Sequence, residues 1–313
     1  MSVILNAVFP LFALILLGYV AAKKRLMGPG AVDSLNKFVV WMALPALLFQ
    51  AMAEISWQEI NQPGYLAGSL LAIAVVFGAS CLLDRRRNGR LADVSIEALA
   101  ASYSNAGFMG IPLCLIVFGP ESLPAVVLAI LLTACVLFAF SIMLIEIDLL
   151  QTRSVWRTAG KVGRSLLRNP LVAAPLLGLL VALVGQPLPY AVTQFTTLLG
   201  AAASPCALVT IGLFLAQGSP NERHGAVWRI VGLKLLLHPL VTFVLVYWVF
   251  QMPPMWAAVA VLLAALPVGT GPFMLAKLYE REPGVTSRAI LISTVLSLIT
   301  VSALVALIDA QIL

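Results

Sequence analysis

Long hydrophobic runs alternate with short polar turns along the whole chain. A helix needs about 20 apolar residues to cross the hydrocarbon core of a bilayer, and ten runs approach or exceed that length. We call them spans 1 to 10, in chain order: 3–22, 35–53, 65–83, 94–118, 123–147, 171–185, 190–217, 227–250, 256–278 and 289–312. The pattern predicts an all-α polytopic membrane protein with ten transmembrane helices.

Span 9 is interrupted by a cluster of helix-breaking residues. Pro267, Gly269, Gly271 and Pro272 lie within the seven residues 266–272. Proline removes a backbone donor and clashes with the preceding turn, and glycine weakens a helix. We therefore predict two half-helices joined by an unwound strip. Such a strip needs protein or a water-filled cavity around it, and in transporters it forms the substrate site.

Span 4 carries a similar cluster at 104–112. Asn105 is followed there by Gly107, Gly110 and Pro112. An isolated glycine or proline would indicate only a kink or a close packing contact, but two clusters at matching places favour a pair of broken helices. We predict that the breaks in spans 4 and 9 cross near the middle of the membrane.

Basic residues fall on one side of this predicted array. Seventeen of the 19 lysines and arginines lie in or beside the turns that follow the odd-numbered spans, and the other turns carry none. They are Lys23, Lys24, Arg25, Arg85, Arg86, Arg87, Arg90, Arg153, Arg157, Lys161, Arg164, Arg168, Arg223, Arg229, Lys277, Arg281 and Arg288. Basic loops are retained in the cytoplasm, so we expect both termini outside, in the periplasm. This placement explains the net charge of +6 without a nucleic acid partner.

The longest turn, 148–169, separates five spans from five. An odd number of spans per half gives the halves opposite orientations. The prolines at 10, 45 and 112 recur at an offset of 160 residues, at 170, 205 and 272, and Gly18 recurs as Gly178. The sequence therefore predicts two inverted five-helix repeats, 1–147 and 170–313, joined by a basic cytoplasmic linker at 148–169.

The polar residues inside the spans indicate an anion site. Asn105 and Thr270 can donate hydrogen bonds to a carboxylate, and half-helix N-termini attract negative charge; the alternative for Asn105 is a cap for the unwound backbone. Lys234 and His238 lie at i and i+4 in span 8, where we expect support for the anion. A lysine that snorkels to the interface and a hydrogen-bonded structural histidine are the alternatives.

Other classes of function are disfavoured by what the chain lacks. It is 61% hydrophobic and 10% charged, whereas soluble domains carry roughly 25% charged residues. No carboxylate lies at mid-span, where it would mark a proton or cation relay. The sequence has no catalytic motif and no phosphate loop, and its four cysteines lack metal-ligand spacing. We expect no enzyme activity, no metal and no cofactor.

Several motifs resemble those of the auxin efflux carrier family, which includes plant auxin exporters and bacterial organic-acid carriers. The stretch from Ser104 to Leu113 resembles the signature of the family's fourth helix, and Ala265 to Lys277 resembles that of its ninth. The motifs around Leu44-Pro45, Asn169-Pro170 and Ser204-Pro205 are similar as well, so the resemblance covers nearly the whole chain. The chain lacks the long cytoplasmic loop of many plant members.

The resemblance implies a scaffold of spans 1, 2, 6 and 7, which often forms a homodimer, and a mobile transport domain of spans 3–5 and 8–10. It implies elevator-type transport of organic anions across the inner membrane. The substrate site would contain Asn105, Gly107, Gly110, Pro112, Pro267, Gly269, Thr270, Gly271 and Pro272, with Pro45 and Pro205 shaping the facing scaffold helices. A small carboxylate such as malonate or malate fits the bacterial members better than auxin does.

Two further readings stay open. One is a sodium-coupled anion symporter of the bile-acid type, which shares the general architecture and would require sodium for uptake. The other is a membrane sensor that binds the anion without moving it.

Overall fold

A computed structural model describes residues 2–28, 30–56, 61–85, 90–150, 160, 163–164, 167–217 and 224–310. These residues form helices and turns, and their only β-type pairing is one isolated bridge, between Ser104 and Val268. Much of the predicted linker at 148–169 lies outside the described residues, as do Arg86, Arg87, Arg153, Arg157, Lys161 and Arg223, which the orientation argument used.

Sixteen α-helices follow one another in the described residues. They are α1 (Ser2–Lys23), α2 (Ala31–Phe38), α3 (Leu44–Ala53), α4 (Pro63–Arg85), α5 (Leu91–Ser102), α6 (Ile111–Phe118), α7 (Leu123–Leu131), α8 (Phe138–Leu150), α9 (Pro170–Val184), α10 (Tyr190–Ala201), α11 (Ala203–Leu215), α12 (His224–Gly232), α13 (His238–Phe243), α14 (Pro254–Ala265), α15 (Gly271–Leu278) and α16 (Gly284–Asp309). Five π-helical turns connect some of them: Val39–Ala43, Ala106–Gly110, Leu132–Leu137, Leu233–Leu237 and Val244–Val249.

Six helical stretches of the described chain are long and apolar enough to cross a membrane. They are Ala31–Ala53, Pro63–Asp84, Pro120–Leu149, Tyr190–Leu215, His224–Val249 and Gly284–Asp309. Four shorter apolar helices accompany them: Val8–Lys23, Ala106–Phe118, Pro170–Val184 and Pro254–Ala265. The prediction of an all-helical, multi-pass membrane protein is confirmed, whereas the count of ten crossings in two inverted repeats stays a prediction.

The chain divides into two compact units. Unit 1 comprises Met1–Gln62, Gly107–Ile130 and Leu167–Gly218. Within it, α1 packs along α11, and α9 packs along α3. Glycines make both pairings close: a Cβ atom on Gly18 would lie 2.2 Å from the carbonyl oxygen of Val209, and one on Gly178 would lie 2.3 Å from that of Phe49. Small residues at such positions let helix backbones approach each other in membranes.

Unit 2 comprises Pro63–Ala106, Leu131–Leu166 and Ser219–Leu313. A buried charge cluster links three of its helices: the Arg229 guanidinium on α12 lies 2.9 Å from an Asp84 carboxylate oxygen on α4 and also pairs with Glu97 on α5. The two carboxylates are almost fully buried. A second ion pair joins Arg281 to Asp93. Charges that the sequence places at helix ends and turns are therefore partners inside this unit.

Candidate substrate site

Both predicted interruptions are present, and both are shorter than predicted. The helix of span 4 stops at Ser102, and the helical turn Ala106–Gly110 begins after three residues. The helix of span 9 stops at Ala265 and resumes at Gly271. It stops there because a residue before proline is pushed out of the helical region, and Leu266 is indeed extended, with φ −62° and ψ 155°.

The two interruptions meet inside unit 2 and pair through their backbones. Ser104 and Val268 form an antiparallel bridge. The Asn105 amide donates to the Pro267 carbonyl at 3.0 Å, and the Gly269 amide donates to the Tyr103 carbonyl at 3.0 Å. The two unwound strips, 103–105 and 266–270, thus supply hydrogen-bonding partners for each other. Buried backbone groups require such partners.

Two glycines of this site are required by one aromatic ring. A Cβ atom on Gly269 would lie 2.8 Å from Cδ1 and Cε1 of Tyr103, and one on Gly271 would lie 2.9 Å from Cζ of the same ring. Both distances are shorter than carbon–carbon contacts allow, so any larger residue would displace the ring. The Tyr103 ring also packs on Phe138, with centroids 6.1 Å apart.

A helical hydrogen bond that would run through the second interruption is replaced by two side-chain bonds. In a continuous helix the Val268 amide would donate to the Ala264 carbonyl, four residues back. Here the Val268 amide donates to Oγ of Ser293 on α16 at 3.1 Å, and the Ala264 carbonyl accepts from Nζ of Lys234. Both halves of the broken bond are satisfied within the protein.

Asn105 and Thr270 are the two polar side chains of the strips that the sequence predicts at the substrate site. Asn105 is 5% exposed, and its side chain makes no hydrogen bond within the described part of the chain. Thr270 is half-buried, and its carbonyl accepts the Met274 amide at 3.1 Å as α15 begins. A buried amide that can still donate two hydrogen bonds suits a carboxylate.

Other predicted site residues lie in helices and not in unwound strips, contrary to the prediction. Gly107 and Gly110 belong to the π-helical turn, and Pro112 and Pro272 each lie in the first two residues of a helix, α6 and α15. Proline is tolerated at Pro272 because the first amides of a helix have no intrahelical acceptor. Pro112 directly follows the π-helical turn and so lies inside one helical stretch, Ala106–Phe118. The five residues Gly107, Gly110, Pro112, Pro45 and Pro205 are part of unit 1. Pro112 is buried, Pro45 is half-buried and Pro205 is exposed.

Lys234 lies within the π-helical turn Leu233–Leu237, and His238 directly follows that turn. The i, i+4 spacing of an α-helix therefore does not apply to this pair. Lys234 is completely buried and does not snorkel. His238 is also buried, and its Nδ1 atom has no hydrogen-bond partner. The structure thus brings Lys234 to the break in span 9, and it records no bond between His238 Nδ1 and the strips.

Three residues of this arrangement were missed by the sequence analysis: Tyr103, Ser293 and Ala264. A signal for Ser293 exists in the sequence. Thr286, Ser293 and Ser297 recur on one face of α16, and all three are buried. Such a hydroxyl face is expected to pack against backbone that needs partners. No comparable sequence signal marks Tyr103 or Ala264.

A family model described as "Membrane transport protein" matches residues 3–305. The chain belongs to the auxin efflux carrier family. A protein named "Putative malonate transporter" from Rhizobium meliloti (strain 1021) is 30% identical to this carrier over 314 residues, which cover 98% of the chain and 97% of the relative. "Auxin efflux carrier component 8" of Arabidopsis thaliana is 24% identical over 98% of the chain and 97% of its own length.

A third similar protein, an "Uncharacterized transporter" of Methanothermobacter thermautotrophicus, is 26% identical over 94% of the carrier and 95% of its own length. The resemblance noted in the helix motifs is therefore confirmed over the whole chain. The carrier is a multi-pass membrane transporter by family.

Proposed function

We propose that this carrier is a secondary transporter of small organic anions, mono- or dicarboxylates such as malonate or malate. The observation that supports this most directly is the buried amide of Asn105 at the paired interruptions. The strips pair with each other through two backbone hydrogen bonds, and the Val268 amide donates to Ser293, so that the side chain of Asn105 is left for a ligand. A substrate carboxylate would accept hydrogen bonds from Asn105 and from Thr270.

Two features support the inverted repeats on which this proposal rests. The contacts of Gly18 with Val209 and of Gly178 with Phe49 are exchanged by the offset of 160 residues, as two related halves require. The first parts of the broken helices also match in length, because α5 and α14 have 12 residues each.

The wider mechanism in this proposal is elevator-type alternating access. The moving body would consist of spans 3–5 and 8–10, and the scaffold would consist of spans 1, 2, 6 and 7 and would form the homodimer contact. Membership of the family and the inverted repeats support this mechanism. The carrier would lie in the inner membrane with both termini outside, as the basic turns suggest.

The test is a pair of measurements on the purified full-length carrier. Its melting temperature is recorded with malonate, malate and monocarboxylates at fixed ionic strength, because a ligand that binds the folded state raises the melting temperature. Uptake of labelled malonate into proteoliposomes is then measured. The Asn105→Ala variant is compared with Asn61→Ala, which removes an exposed asparagine outside the helices.

Loss of a hydrogen bond to a charged group costs about 1.5–3 kcal/mol, so Asn105→Ala should weaken malonate binding by roughly 10- to 150-fold. Asn61→Ala should bind as the wild type does. Equal affinities in the two variants would remove Asn105 from the site. Uptake that needs sodium would favour the symporter, and binding without any flux would favour the sensor.

A further inference from the structure

The Nζ group of Lys234 occupies an unusual position for an ionisable side chain. It donates to the carbonyl of Ala264, next to the last residue of α14, and the lysine has no exposed surface. Within the described residues no carboxylate pairs with it. Burying an unpaired charge is costly, so this position needs a compensating source of negative potential.

The end of α14 provides that potential. The last carbonyls of a helix have no intrahelical donors, and the macrodipole gives this end a partial negative charge. The Ala264 carbonyl is free to accept only because the Val268 amide has turned away to Ser293. Lys234 therefore lies where the interruption exposes oxygen atoms.

Transporters with broken helices commonly use such places for a coupling cation. Unwound carbonyls and half-helix C-terminal ends coordinate sodium ions or protons in these proteins. Here a covalently attached cation already occupies an oxygen ligand of that kind. The residue at the same place in the other half, 160 residues earlier, is Ala74, so the two halves differ at this position.

We propose that the Lys234 ammonium is a built-in cation that stabilises the interruption of span 9 and takes the place of a mobile coupling cation at the Ala264 carbonyl. Lys234 acts as a positioning residue for the strip 266–270. It pairs with the carbonyl that loses its helical donor, the Val268 amide, where Pro267 ends α14. The coupling aspect rests on the proposed carrier function, whereas the cation site itself can be tested without any substrate.

The experiment measures the melting temperature of the purified full-length protein in sodium, potassium, methylammonium and choline chlorides at equal ionic strength. Lys234→Ala removes the charge and leaves space, and Lys234→Met removes the charge and fills the space. Lys37→Ala is the matched control, because it removes an exposed lysine near the end of another span. Malonate affinity is measured in parallel.

The melting temperature of the wild type should be the same in all four chlorides, and so should that of Lys37→Ala. Lys234→Ala should melt lower in choline and should regain stability in methylammonium or sodium, by roughly 3 °C for each tenfold increase of a bound cation above its dissociation constant. Lys234→Met should melt lower in all four salts, because its side chain blocks the space. A merely structural lysine would not produce this rescue.

Three results would overturn the proposal. The first is specific stabilisation of the wild type by sodium, a result that does not depend on any variant folding. The second is a melting temperature of Lys234→Met equal to that of the wild type. The third is a destabilised Lys234→Ala whose melting temperature no small cation raises. Failure of malonate to bind any variant would refute the proposed function instead, and the salt series would still decide the role of Lys234.

Discussion

Substitution of Gly269 by alanine tests whether the two strips must approach as closely as the structure shows. The added Cβ would lie 2.8 Å from two carbon atoms of the Tyr103 ring and 3.2 Å from the Ser104 carbonyl oxygen. A relaxed carbon–carbon contact is about 3.5–4.0 Å, so the ring has to move by several tenths of an ångström or more. The ring is confined by Phe138, and Ser104 is held between the two hydrogen bonds of the bridge, from Asn105 to Pro267 and from Gly269 to Tyr103.

Overpacking of this kind costs about 1–3 kcal/mol. At roughly 2–4 °C per kcal/mol for a chain of this size class, the melting temperature of Gly269→Ala should fall by about 2–12 °C. The matched control is Gly232→Ala, since nothing lies within 4 Å of the Cβ that it would add. In a helix that change should be neutral or should stabilise by up to about 1 kcal/mol.

The assay combines thermal unfolding with malonate affinity, because a displaced Tyr103 also shifts the neighbouring strip that carries Asn105. Weaker binding together with a lower melting temperature is the expected pair of results. The double variant Gly269→Ala/Tyr103→Leu should recover part of the loss, since residues in contact do not act additively. Gly269→Ala with the stability and affinity of Gly232→Ala would refute the close approach of the strips.

Three other substitutions test the packing within the two units. Arg229→Met should lower the free energy of unfolding by about 3–5 kcal/mol, because it leaves two buried carboxylates without their guanidinium. Thermal unfolding compares it with Arg164→Met, which changes an exposed arginine, and equal stability of the two variants would contradict the prediction. Gly178→Ala should prevent α9 from packing at its observed distance from α3, because the new Cβ would lie 2.3 Å from the Phe49 carbonyl oxygen. The yield of monodisperse protein after purification should therefore fall, and a yield equal to that of the wild type would contradict this contact. Tyr279→Phe should cost about 1 kcal/mol by removing its 2.7 Å hydrogen bond to a carboxylate, and an unchanged melting temperature would show that this bond adds nothing.

The sequence was sufficient to predict the helical class and the two interruptions, because these follow from local chemistry. Pro267 forces the residue before it out of the helical region, and this effect needs no partner. The length of each interruption was overestimated because Pro112 and Pro272 were taken as breakers. At the start of a helix proline breaks nothing, and the structure shows Pro272 at such a start, whereas Pro112 lies inside the helical stretch Ala106–Phe118.

The partners of the strips could not be predicted, because they come from distant parts of the chain. Ser293 lies 25 residues from Val268, whose amide donates to it, and Lys234 lies 30 residues from Ala264, whose carbonyl accepts from it. Which residue on a neighbouring helix reaches a given atom depends on the rotation and translation of that helix, which packing sets. The partners of Arg229 could not be predicted for the same reason. The hydropathy pattern indicates where a charged residue lies along a span, but it does not identify the residue that pairs with it.

The ion pairs of unit 2 also set an order for its biosynthesis. Arg229 is 145 residues from Asp84 and 132 residues from Glu97, and Arg281 is 188 residues from Asp93. At a synthesis rate of about 5–20 residues per second, the acidic residues of the first half wait on the order of 10–30 s for their basic partners. Until span 8 has been made, the early helices of unit 2 lack the guanidinium that joins Asp84 to Glu97. A nascent chain that stops before residue 224 lacks both arginines of these ion pairs.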